Sequence, residues 1–177
     1  LVLGAVGLAL LIRGTLFQAF YIPSPSMEPT LHGCSGCNND RILVNKLSYK
    51  LHAIHRGDIV VFETPPGEEN NAIKDLVKRV IALPGETIEA RGDRVWITQV
   101  GHTQAQQLDE PYVNKQCIAT HQVAQNLHKT TIPAGYYFVM GDNRCESHDS
   151  RAFGAIKGSS IVGRAFVRIW PPSRFKF

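Results

Sequence analysis

The chain has 177 residues, 44% of them hydrophobic and 19% charged, and a formal net charge of +4. That length supplies one domain, or one domain with an elaborated insert, and enough side chains to bury a sizeable core. The composition excludes a disordered polymer. The pI of about 9.0 comes without a basic stripe interleaved with aromatics. Nucleic acid is therefore not expected as a partner, and a mildly basic face beside anionic lipid is the better use of the charge.

Residues 1–12, Leu-Val-Leu-Gly-Ala-Val-Gly-Leu-Ala-Leu-Leu-Ile, carry no charge. A membrane-spanning helix needs about 20 apolar residues, and the sequence opens on Leu1 rather than Met. We therefore expect residues 1–13 to be the C-terminal part of a longer transmembrane helix. Arg13 then marks the interface, because a charge at mid-bilayer costs about 2.5–3.5 kcal/mol. Residues 14–22 stay apolar past it and are expected to lie against the lipid surface. A cleaved signal peptide would carry a basic flank and a small-residue cleavage site. No such flank is visible, and Phe20-Tyr21-Ile22 is not such a site. A buried core helix is the remaining alternative.

Next comes Ile22-Pro23-Ser24-Pro25-Ser26-Met27-Glu28-Pro29-Thr30-Leu31. Three prolines fix φ at three places, so the Ser24 and Ser26 side chains have little freedom. In an extended stretch these two side chains point to the same side. Ser26 offers a hydroxyl and an N–H, and Ser24 a second hydroxyl, which suits an oxyanion site. A rigid linker is the alternative use of such a segment. The four cysteines are Cys34, Cys37, Cys117 and Cys145. On a chain facing an oxidising compartment an even count suggests disulfides. We expect a small Cys34–Cys37 loop and a Cys117–Cys145 bond tying an insert to a later polar turn. Cys34-Ser35-Gly36-Cys37, with His32, is also half of a zinc pattern. A second Cys-x-x-Cys is missing, so no metal is expected.

Downstream the chain reads as strands separated by turn signals: Ile42-Leu43-Val44, Ile59-Val60-Val61-Phe62, a hairpin over Thr87–Ile97 turning at Arg91-Gly92-Asp93, Tyr136–Met140 and Ile161–Ile169. Residues 65–73 are a polar loop, and 98–131, rich in Gln, Asn, His and Thr, an irregular insert. In Asp75-Leu76-Val77-Lys78-Arg79-Val80 a strand puts Leu76, Lys78 and Val80 on one face. Desolvation there would lower the lysine pKa and make it a base for a serine. A lysine whose stem covers apolar surface while its head reaches water is the commoner outcome. The block Met140-Gly141-Asp142-Asn143-Arg144-Cys145-Glu146-Ser147-His148-Asp149-Ser150-Arg151 would support them. Ser147 could orient the amine, and Asp149 and Arg151 stand two apart. A polar hairpin turn is the alternative. A Ser-His-Asp arrangement would draw on seven histidines, of which His148 beside Asp149 is the best placed. No phosphate loop, His-Glu-x-x-His or Gly-x-Ser-x-Gly occurs. The fold class is mainly β, with antiparallel sheets packed on each other or partly barrelled.

The blocks Ser-x-Ser-Met-x-Pro-Thr-Leu, Arg-Gly-Asp-Ile-Val-Val-Phe, Lys-Arg-Val-x-x-Leu-Pro-Gly and Gly-Asp-Asn-Arg-x-x-Ser-x-Asp-Ser-Arg occur in this order. In them the chain resembles the bacterial type I signal peptidases, the leader peptidase family of Ser-Lys proteases. The run Leu31–Arg41 looks like the actinobacterial branch. The resemblance implies Ser26 as nucleophile and Lys78 as general base. It implies that Ser24 completes the oxyanion hole, that Ser147 positions the lysine and that Asp149 and Arg151 form a salt bridge, with Asp142 and Arg144 in the same turn. It implies a signal-peptidase-like antiparallel β-fold, shared with self-cleaving repressors, over residues 14–177. That domain would sit on the extracytoplasmic side of the plasma membrane, close to lipid. Preprotein signal peptides with Ala-x-Ala cleavage sites would lie extended along Phe20–Pro23 and Asp75–Val77, against Phe20, Ile22, Pro23, Asp75, Leu76 and Val77. No cofactor is implied. Pro25 stands where the family often has Gly, and Cys145-Glu146 where Asp-Asn is common. A self-cleaving Ser-Lys regulator and a non-catalytic membrane-tethered β-domain are the alternative functions.

Overall fold

Ile59-Val60-Val61-Phe62 is apolar without alternation, and such a strand needs cover on both faces. In the computed structural model, which describes residues 16–68, 74–91, 94–113 and 127–175, it has that cover. Ile59 and Val61 face one apolar cluster, with Ile22, Met27, Leu31, Ile42 and Val44. Val60 and Phe62 face another, with Val80, Val139 and Ile156.

The strands are β1 (Phe17–Tyr21), β2 (Arg41–Asn45), β3 (Ile59–Glu63), β4 (Asp75–Ala82), β5 (Thr87–Arg91), β6 (Arg94–Thr98), β7 (Gln106–Gln107), β8 (Leu127–Thr131), β9 (Tyr136–Met140), β10 (Ile156–Lys157) and β11 (Ile161–Trp170). Two four-residue helices, α1 (Ser48–Leu51) and α2 (Ser150–Phe153), lie between them. A seven-stranded sheet runs β1-β2-β11-β3-β4-β9-β10 and a four-stranded sheet β7-β6-β5-β8. The described pairings are antiparallel, so the mainly β expectation holds. The expected hairpin is β5–β6, closed by the pair Arg91↔Arg94. A third cluster joins the two sheets through Ile81, Ile88, Val95, Ile97, Ile132 and Phe138.

Three expectations are corrected. Residues 14–22 do not simply lie along a surface: Phe17–Tyr21 pair with Asn45–Arg41 as an edge strand, and Ile22 is only 2% exposed. An apolar run satisfies its backbone in a ladder when one is offered, and β2 offers one. The insert at 98–131 is not wholly irregular, since β7 pairs with β6 and β8 with β5. These strands are polar and mostly exposed, so they lack the apolar alternation that announces a strand. Third, Ser24–Ser26 is not extended throughout, as described below. The transmembrane segment expected at 1–13 lies outside the described residues; no described helix is long and apolar enough to cross a membrane. Cys34 and Cys37 form a disulfide, Cα–Cα 5.4 Å. Cys145 is also disulfide-bonded; its expected partner, Cys117, lies outside the described residues.

Candidate active site

Ser24 is extended, at φ −130° and ψ 157°, but Pro25–Met27 form one 3₁₀ turn. Proline suits the first position of such a turn, where an N–H has no partner to find. Met27 and Leu31 anchor the turn in the core, and Leu31 N–H donates to Met27 O at 2.9 Å. From the other side Asn143 N–H donates to Ser26 O at 3.1 Å and its side-chain amide to Pro25 O at 3.2 Å. The turn replaces the extended geometry expected here, yet the two hydroxyls still meet. Ser24 Oγ donates to Ser26 Oγ at 3.2 Å.

Lys78 pairs with Val60 across β3–β4, and paired residues share a face. Leu76, Val80 and Val60 form one cluster, while Val77 packs with Ile22 and Met27, which is the alternation expected for β4. The lysine is 3% exposed, and its Nζ lies 2.7 Å from Ser26 Oγ. Burial pulls its pKa from 10.5 down to about 8; Asp149 and Asp142 pull the other way and Arg151 adds to the drop. As an ammonium the lysine donates to the hydroxyl. As a free amine it accepts from it, and that is the state able to remove the proton.

The polar turn after β9 lies behind this pair. Asp149 is fully buried. It accepts from Arg151 Nε at 2.8 Å and Nη2 at 2.8 Å and from Gly141 N–H at 2.9 Å. Burial alone would raise its pKa, but Arg151 and the Gly141 N–H outweigh it and hold the carboxyl below its ordinary range. A Cβ on Gly141 would collide with Ser26 O and Ser147 Oγ, so glycine is required there by close approach. The Ser147 hydroxyl, expected to position the lysine, is buried and makes no hydrogen bond to Lys78 among the described residues. The backbone holds it instead, since Arg151 Nη2 donates to Ser147 O at 3.2 Å.

Asp142 and Arg144 share the turn but take different partners. Asp142 accepts from Arg79 Nε at 2.8 Å and Nη2 at 2.6 Å and from Thr30 Oγ1 at 2.5 Å. Arg144 is clamped by both carboxylate oxygens of Glu110, and the Arg79 guanidinium stacks 4.0 Å from the Tyr112 ring centroid. Sequence reasoning missed Glu110, Tyr112 and Arg79. The available signal was Asp109-Glu110-Pro111-Tyr112, which holds the acidic residues of the insert next to an aromatic one. His148 pairs with Glu68 at 2.5 Å and His32 with Glu28; among the described residues no histidine bonds to Ser26.

Phe20, Tyr21, Ile22, Pro23, Ser24 and Ser26 form one wall of a narrow cleft, and Asp75, Leu76, Val77 and Lys78 the other, around about 60 Å³ of space. All six residues expected to touch a substrate line it. Strand β4 pairs with β9 only from Arg79 onward, so among the described residues no strand covers that edge of Asp75–Lys78.

The family described as "Signal peptidase, peptidase S26" matches residues 1–170. The chain belongs to this signal peptidase family. It is similar to a probable signal peptidase I of Mycobacterium leprae, 34% identical over 97% of this chain and 74% of that protein. It is similar to a signal peptidase I of Mycobacterium tuberculosis, 35% identical over 89% of this chain and 66% of that one. A signal peptidase I of Leptolyngbya laminosa is 40% identical over 96% of this chain and 77% of its own length. A crystal structure of a signal peptidase I from Enterococcus faecalis, 34% identical, covers 64% of this chain and 97% of that one at a TM-score of 0.49. The chain is thus a serine endopeptidase that removes signal peptides from preproteins.

Proposed function

We propose that Ser26 is the nucleophile and Lys78 its general base, and that the cleft between Phe20–Ser24 and Asp75–Lys78 holds the signal peptide. The observation that carries this reading is a buried amine 2.7 Å from a serine hydroxyl, with a pKa brought down to about 8. The neutral Lys78 amine takes the Ser26 proton as Oγ adds to the scissile carbonyl. The Ser26 N–H and the Ser24 hydroxyl receive the negative charge that develops on the carbonyl oxygen. Lys78 then gives its proton to the leaving amine, and an acyl-enzyme remains on Ser26. A water molecule, deprotonated by the same amine, hydrolyses it. Asp149, Arg151, Asp142 and Arg144 hold the turn that supports Ser26 and Ser147.

The substrate adds as a strand to the open edge of β4. The small space between Ile22 and Val77 suits alanine side chains, hence Ala-x-Ala cleavage sites. Residues 1–13 anchor the chain, and the domain works on the extracytoplasmic face of the plasma membrane. The Cys34–Cys37 disulfide fits that oxidising side. Strands β1 and β11 flank β2 at the same end of the sheet as the cleft wall. There Tyr21, Phe166 and Trp170 are exposed, and the Phe17 and Phe166 rings stand 5.6 Å apart. Aromatics so placed suit a lipid interface. Cleavage of a preprotein by the chain in detergent, with Ser26→Ala and Lys78→Arg beside it, is the test. Both variants fold and neither cleaves. Lys78→Arg keeps the cation but cannot deprotonate, so substantial turnover by it ends the base assignment.

A further inference from the structure

Behind the cleft wall, the chain from Glu28 to Asp40 turns back on the segment that carries Ile22 and Ser24. Gly33 packs so closely there that a Cβ would stand 2.5 Å from Ser24 O and 2.6 Å from Ile22 O. Polar bonds complete the frame. Ile22 N–H donates to Asp40 O at 3.0 Å and Asp40 N–H to His32 O at 2.9 Å. Cys34 N–H donates to Asn39 Oδ1 at 2.9 Å, and Asn39 Nδ2 to Tyr21 Oη at 2.6 Å. Within this frame a His32 ring nitrogen, Cys34 Sγ and Cys37 Sγ all lie within 4.8 Å of one another. His32 Nδ1 also contacts a carboxylate oxygen of Glu28. Nothing in the peptidase chemistry uses this cluster.

We propose that reduction of the Cys34–Cys37 disulfide opens a Zn²⁺ site formed by His32, Cys34 and Cys37, built on the back of the substrate cleft. Zinc bonds of about 2.3 Å to sulfur and about 2.0–2.1 Å to nitrogen put tetrahedral ligands about 3.5–4 Å apart. The His32 nitrogen already lies within 4.8 Å of both sulfurs, and the two sulfurs, bonded to each other in the disulfide, must separate to about 3.5–4 Å once that bond is reduced, by rotation of the cysteine side chains. Cys37 is exposed and Cys34 and His32 are partly exposed, so reductant and metal both have access. A dithiol supplies the electrons: its two thiols become a disulfide as the Cys34–Cys37 bond becomes two thiols. Zn²⁺ then displaces the two thiol protons and binds two thiolates and one imidazole, with water in the fourth position. Glu28 is the outer partner: by accepting from Nδ1–H it leaves the ring lone pair on Nε2 and sets the ring's orientation. The frame that orders these residues exists before any metal arrives, so the site opens by redox chemistry rather than by folding.

The test needs no peptidase activity and is therefore independent of the dyad assignment. The full chain in detergent, reduced with a phosphine and freed of it, is titrated with Co²⁺ and then Zn²⁺. The reduced protein takes up one equivalent of Co²⁺, with the thiolate charge-transfer and d–d bands of a tetrahedral sulfur site, and one equivalent of Zn²⁺ bleaches them. The oxidised protein shows neither band. His32→Ala weakens Zn²⁺ binding about tenfold or more, and the double variant Cys34→Ser, Cys37→Ser abolishes the bands while circular dichroism shows it folded. The Cys145 disulfide is still reduced in that variant, so bands that persist in it overturn the proposal. Failure of the reduced protein to bind Co²⁺, or unchanged affinity in His32→Ala, overturns it equally.

Discussion

Replacing Lys78 with Met keeps most of the apolar stem and removes the amine, and its effect on stability should depend on pH in a specified way. In the folded chain the lysine titrates at about 8, against 10.5 when it is free of its surroundings. Above 10.5 the amine is neutral in both states and its burial carries no ionic penalty. Between 10.5 and about 8 the unfolded chain holds a proton that the folded chain does not, so stability falls as pH falls. Below about 8 both states are protonated and the penalty is complete. At 1.36 kcal/mol per pH unit the full span is about 3 kcal/mol. Lys78→Met escapes this, so its stability relative to wild type should be greater by about 3 kcal/mol at pH 7 than at pH 10.5. Urea unfolding of both proteins in the same detergent, across that range, measures the difference directly. Other titrating groups are shared and cancel. Over the same range wild-type kcat/KM should rise with an apparent pKa of about 8, and Lys78→Met should lose about 10²–10⁴ in rate, the usual share of a general base. A stability gap that does not change with pH would refute the claim that burial depresses this lysine.

Ser24→Ala should lower kcat by about 10²–10³ with little change in KM, as loss of one oxyanion donor does; steady-state kinetics on a preprotein checks it. Gly141→Ala forces a methyl group against Ser26 O and Ser147 Oγ. Overpacking of that kind costs about 1–3 kcal/mol, so its melting temperature and its cleavage rate should fall together. Arg151→Ala strips the guanidinium from the fully buried Asp149 and should cost about 3–5 kcal/mol at neutral pH. The depressed Asp149 pKa gives stability that is present above the unfolded carboxyl value and lost as pH falls through the folded one. Acid titration of unfolding should therefore be flatter in Arg151→Ala than in wild type.

The candidate dyad was legible because its signals are local. Three prolines around two serines restrict a short segment whatever it packs against, and alternation along 76–80 tells a buried strand face from an open one. Their pairing across 52 positions of chain followed from their complementary chemistry, a serine needing a base and a lysine placed to lose its proton, and the family resemblance implied the same pair. The edge strand Phe17–Tyr21 was missed because an apolar run suits lipid, a core and a ladder equally, and only the presence of Arg41–Asn45 beside it selects the ladder. Strands β7 and β8 were missed because their backbone bonds, not their side chains, make them strands.

By itself the sequence determined the β-rich class, the nucleophile and base candidates and the Cys34–Cys37 loop, all of which depend on residues within a few positions of one another. The tertiary structure alone decided the partners in the supporting network. Asp142 takes Arg79 from 63 residues away, Arg144 takes Glu110 from 34 residues away, and Arg151 reaches back four residues to the Ser147 carbonyl. The reason is physical: charge and hydrogen-bonding capacity are written on each residue, but a buried charge is satisfied by whichever opposite charge the packed strands bring within about 3 Å, and that is a property of the packing.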